Sequence, residues 1–150
     1  LTYCGLFSGS GEECWPSSGL AVDSSGNAYV TGHTTSTETS FPVIVEPDLN
    51  YNDGERDAFV AKVQTDGKGL AYCGYIGGAG GEGGTGIAVD RAGDAYVTGW
   101  TVSTETSFPV TVGPDVSANG GGDAFVAKVT TQEFPWPIFL PAILEGGKKE

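Results

Sequence analysis

Runs of about seven residues along this chain alternate bulky and small side chains, and clusters of Gly, Ser, Asp and Pro separate them. NAYVTG (residues 27–32), DAFVAKV (57–63) and LAYCGYI (70–76) are rich in β-branched and aromatic residues, which predicts strands. LTYCGLF (1–7) and the short run at 20–23 are predicted strands on the same grounds. Asp23-Ser-Ser-Gly26-Asn27 starts with Asp and finishes with Gly, the chemistry of a tight hairpin turn. The Thr/Ser-rich connection over 34–56 carries Phe41-Pro42 and Glu46-Pro47, and the residue before a proline is pushed towards extended backbone. That connection is predicted to be non-helical.

The pattern then repeats. GLAVDSSGNAYVTG at 19–32 returns as GIAVDRAGDAYVTG at 86–99, and 21 of the 30 positions in 20–49 recur 67 residues later. Such self-similarity means that one supersecondary unit has been copied. The second copy predicts strands at 87–90, 94–99 and 123–129. Where a fourth should follow, the chain turns into the proline-rich stretch 134–144. The expected organisation is an N-terminal strand and linker (1–18), a complete four-stranded unit (19–76), a three-stranded unit (86–129) and a hydrophobic tail (130–150). LTYCG matches LAYCG of the fourth strand, so the chain opens with the kind of strand that its last unit lacks.

Both faces of the strands are apolar: Ala58 and Val60 on one side of DAFVAKV, Phe59, Ala61 and Val63 on the other. A sandwich with wet outer faces alternates more cleanly. Sheets covered on both sides fit stacked propeller blades better. The fold class expected is all-β, two four-stranded antiparallel propeller-like blades, one of them completed by a strand from a neighbouring chain. The ordered submotifs GIAVD, GNAYVTG, Ser/Thr with FPV, DAFVAKV and LAYCGYIGG resemble the SBBP repeat, a β-propeller repeat of secreted and surface proteins. Over roughly residues 1–132 the resemblance implies four-stranded blades, an extracellular or cell-surface setting and no catalytic residues.

Composition narrows the partners. A net charge of −12 disfavours nucleic-acid phosphates and anionic membranes, leaving cations and glycans. No methionine occurs, even at position 1, so the chain is expected to begin at a processing site or to be a piece of a longer product, and a secreted one. Cys4, Cys14 and Cys73 are an odd number. A Cys4–Cys14 bridge is expected first, Cys14–Cys73 is the alternative, and three semi-buried thiols are the third reading.

Gly78-Ala-Gly80-Gly-Glu-Gly83 has the GxGxxG spacing but no helix to follow it, so it reads as a flexible connection rather than a dinucleotide site. His33 is replaced by Trp100 in the second copy and has no adjacent nucleophile, which argues against catalysis. The candidate Ca²⁺ ligands, Asp23, Asp90, Asp94 and Asp53, sit where Asp also serves turn chemistry. No cofactor is expected beyond that possible ion. Thr34, Thr35, Thr37, Thr101 and Thr104 are O-glycan candidates. The predicted function is a non-enzymatic structural subunit that assembles head to tail, through Leu1, Tyr3, Leu6, Phe125, Val129, Trp136, Phe139 and Leu140. The alternatives are a carbohydrate- or surface-binding adhesion module, or an excerpt of a larger single-chain propeller.

Overall fold

The computed structural model describes residues 1–6, 8–13 and 18–130. Within them lie seven strands: β1 (Gly19–Val22), β2 (Ala28–Thr34), β3 (Asp57–Val63), β4 (Leu70–Ile76), β5 (Glu82–Val89), β6 (Ala95–Thr101) and β7 (Asp123–Val129). They form two antiparallel sheets, ordered β1-β2-β3-β4 and β5-β6-β7. The repeat in sequence is a repeat in register. Tyr29 stands opposite Lys62 in the first sheet, and Tyr96 opposite Lys128 in the second.

The predicted hairpin turns form as their chemistry requires. Asp23 Oδ1 accepts the backbone N–H groups of Ser25 and Asn27, both at 2.9 Å, and Gly26 takes φ 86°, a left-handed conformation that favours glycine. Asp90, Ala92, Gly93 and Asp94 repeat the arrangement. The Asn27 side-chain amide, followed by the turn N–H groups and the Tyr29 hydroxyl, holds the Asp23 carboxyl down to about 2.

The core lies between the sheets. Tyr29, Ala58, Val60, Tyr72 and Ile76 of the first sheet pack on Ala95, Val97, Phe125 and Val129 of the second. Burial of each large apolar side chain here contributes about 1.5–3 kcal/mol. A second cluster, Phe41, Phe59, Ala61, Cys73 and Tyr75, fills the other side of the first sheet beneath the 35–56 connection. That connection is tied down by two backbone hydrogen bonds between Ile44 and Cys73, and by Tyr75 N–H donating to the Asp48 carbonyl.

Two expectations need correction. Residues 1–6 are not a strand; they have no ladder partners, and Leu1 and Leu6 are exposed. Alternation alone does not make a strand, because its N–H and C=O groups gain nothing over water until an edge receives them. The Gly-rich stretch is not merely a flexible connection, since β5 begins at Glu82 and Gly83 and Gly84 are buried strand residues. A Cβ at Gly84 would sit 2.1 Å from Thr31 Oγ1 and about as close as 3.1 Å to the Gly32 backbone, so the glycine is there to let the sheets meet. The second sheet has the three strands expected of it, with no fourth beside β7 among the described residues.

Candidate assembly site

The unfilled position beside β7 is defined by its counterpart in the first sheet. There β4 pairs with β3, placing Tyr75 opposite Phe59 and Cys73 opposite Ala61. The Tyr75 ring sits 5.7 Å from Phe41 and 5.8 Å from Tyr51, and its hydroxyl donates to the Ser36 carbonyl at 2.9 Å. In the second copy Phe108, Ala118 and Ser103 occupy the places of Phe41, Tyr51 and Ser36. Those three residues, with Asp123 and Phe125, line a cavity of about 210 Å³. It corresponds to the space that Tyr75 fills in the first sheet, and no described residue fills it in the second.

Beside each socket a carboxylate closes the loop. Glu82, fully buried, accepts hydrogen bonds from Thr101 Oγ1 and Ser103 Oγ, both at 2.7 Å, and from the Gly78 N–H at 2.9 Å. Glu13 does the same for Thr34, Ser36 and Gly9 in the first unit, at 3.1 Å to Thr34 and 3.3 Å to Gly9. Sequence reasoning missed both glutamates. The detectable signal was a Thr-x-Ser at the end of each second strand (Thr34/Ser36 and Thr101/Ser103) with a glutamate upstream.

The predicted assembly residues divide. Leu1, Tyr3 and Leu6 are exposed, but Phe125 and Val129 are buried against the first sheet, because β7 turns that side inwards. The outward side of β7 carries Ala124, Val126 and Lys128, and Val126 was not anticipated. Trp136, Phe139 and Leu140 lie outside the described residues. Of the glycan candidates, Thr35, Thr37 and Thr104 are exposed. Thr34 and Thr101 are buried with their hydroxyls bonded to Glu13 and Glu82, so neither is open to a glycosyltransferase.

Among the described residues no group of three or more His, Cys, Asp or Glu converges as a metal site. Asp23 and Asp90 are engaged in their turns, Asp94 pairs with Lys128 at 2.8 Å, and Asp53 takes φ 62° in the connection. His33 is buried on β2, and that burial, then the Arg56 charge, depresses its basicity. Cys4 and Cys73 are free, which does not bear out the expected disulfide at either of them; Cys14 lies outside the described residues. Burial pushes the Cys73 thiol up to about 12, so it is inert in the folded chain.

Asp57, at the start of β3, is fully buried and its Oδ1 has no hydrogen-bond partner. Burial raises its carboxyl to about 6 against the opposing bonds from Asn52, with Glu82 and Asp48 adding to the rise. A carboxyl raised in the fold favours the protonated native state. Stability should therefore fall as pH rises from about 4 through about 6, and then level off. Melting curves across that window should show the loss in the native sequence and not in Asp57→Asn.

The fold and the repeated site define an all-β protein of consecutive antiparallel sheets stacked face to face. The SBBP family, described as a beta-propeller repeat, matches residues 17–38 and 75–105, so the chain carries two copies of that repeat. The matches span the β1–β2 and β5–β6 hairpins and the turn into the long connection after each. No curated protein matches the chain. Among the described residues no helix is long and apolar enough to cross a membrane.

Proposed function

We propose that this chain is a non-enzymatic extracellular structural subunit that assembles head to tail, residues 1–6 of one copy completing the second sheet of the next. The observation that carries this is the β7 edge, which has no partner among the described residues, and the socket beside it. LTYCG is the sequence that the β4 position calls for. In the β3–β4 register, Leu6 stands opposite Phe125 and enters the socket between Phe108 and Phe125, Cys4 stands opposite Ala127, and Tyr3 opposite Lys128. Residues 1–6 have no ladder partner in the single chain, and only the Tyr3 ring, packed on Gly67, and Leu6 rest beside the first sheet. The extracellular setting is what the SBBP resemblance implies.

Three or four ladder hydrogen bonds at about 0.5–1.5 kcal/mol each, plus about 2 kcal/mol for Leu6, do not by themselves offset the cost of association. A second contact has to contribute. Deleting residues 1–8 should therefore weaken self-association by roughly 100-fold, the equivalent of about 2.7 kcal/mol, without lowering the melting temperature of the monomer. Unchanged oligomers by sedimentation velocity after that deletion would remove strand donation.

A further inference from the structure

The contact between the two sheets is heterologous, since opposite faces of the repeated unit meet. The first sheet offers the face with Tyr29, Ala58 and Val60; the second offers the face with Ala95, Val97 and Val129. Because the sequence repeats, each sheet has both kinds of face. Tyr96, Ala124 and Val126 occupy in the second sheet the places of Tyr29, Ala58 and Val60. Ala28, Val30 and Val63 occupy in the first the places of Ala95, Val97 and Val129.

One face of each kind is used within the chain; among the described residues the other is left bare on the second sheet and, beside the part that the 35–56 connection covers, at the β1 side of the first. Val60 is fully buried, whereas Val126 is 74% exposed. His33 is buried, whereas Trp100 in its place is 37% exposed, so the bare face is also the more apolar version. On the first sheet Leu20 and Val22 are 67% and 60% exposed. They line, with Ala28, Val30, Val63 and Leu70, an open cavity of about 720 Å³.

We infer that the bare face of the second sheet in one copy docks on the bare face of the first sheet in the next, reproducing the sheet-to-sheet contact already made inside the chain. The inference deepens the head-to-tail reading and rests on it, because it identifies the second contact that strand donation requires. Both contacts run in the same direction. Within the chain, β4 of the first sheet leads into the sheet that covers it, and residues 1–6 likewise lead into the sheet that would cover the neighbour. Tyr3 and Leu6 already line the 720 Å³ cavity, on the side where the neighbour's β7 would lie.

A polar contact sets the alignment. Tyr29 Oη lies 3.1 Å from Asp23 Oδ2 and 3.1 Å from the Gly93 carbonyl, so its hydroxyl reaches from the first sheet to the turn of the second. Tyr96 Oη is bonded to Asp90 at 3.2 Å, and Gly26 has φ 86° where Gly93 has 85°. Tyr96 of one copy therefore faces the Gly26 carbonyl of the next.

Val126→Arg and Leu20→Arg test the two halves of the contact, and their exposure leaves the monomer fold intact. Each variant alone should sediment as a monomer with the native melting curve. An equimolar mixture should give a dimer and nothing larger, since each supplies the face that the other has lost. Native-size oligomers of Val126→Arg, or a mixture that stays monomeric, would overturn the docking. So would a native chain that is monomeric at every concentration; if deleting residues 131–150 then makes Trp100 open to oxidation, the tail is what covers the face. Assembly that survives Val126→Arg but not deletion of residues 1–8 sinks the docking and leaves strand donation standing. The reverse pattern does the opposite.

Discussion

Glu82→Ala is expected to lower the stability of the folded chain by roughly 3–5 kcal/mol, read as a shift of the urea midpoint with an unchanged slope. The side chain is fully buried and accepts three hydrogen bonds, from Thr101, Ser103 and the Gly78 backbone. A hydrogen bond contributes about 0.5–1.5 kcal/mol net, and a buried donor left unpaired costs about 1–3 kcal/mol. Alanine leaves three donors without an acceptor in a dry site. The contrast with Glu13→Ala makes the expectation specific. Glu13 is half-buried and its bond to Gly9 is long at 3.3 Å, so the same substitution there should cost about 1–2 kcal/mol. Equal losses at the two sites would mean that burial is not what gives Glu82 its effect.

Gly84→Val should cost about 3 kcal/mol or more, and should undo the docking of the sheets rather than the sheets themselves. The nearest atom to an added Cβ is Thr31 Oγ1 at 2.1 Å, and Thr31 is buried with its hydroxyl donating to the Phe59 carbonyl at 2.6 Å. Behind it stands the Gly32 backbone, so the neighbour has nowhere to move. Far-UV circular dichroism should keep its β signature while dye binding reports exposed apolar surface, because Tyr29, Val60, Val97 and Val129 lose their cover. A cooperative, dye-silent variant close to native stability would show that the sheets approach less tightly than the geometry indicates.

The strands DAFVAKV and LAYCGYI were legible to the residue, because β-branched and aromatic runs bounded by turn residues leave the backbone one favourable state. The Asp-to-Gly hairpins were legible for the same local reason. The β5 start was not. Glu82-Gly83-Gly84 has a loop's composition and becomes strand only because Thr101, Ser103 and the first sheet close on it. Residues 1–6 show the converse, a strand's composition without an edge to pair with.

The candidate site divides in the same way. That the second repeat runs into a proline-rich stretch where a fourth strand would follow, and that LTYCG has the sequence of such a strand, follow from counting and aligning residues. Apolar character on both faces of DAFVAKV is likewise a property of the one-dimensional pattern. Which face is spent inside the chain and which is left bare is not, because Phe125 and Val126 are equally apolar neighbours. Only the stacking of one sheet on the other buries the first and exposes the second, since a two-residue period sends adjacent side chains to opposite sides but does not say which side meets a partner.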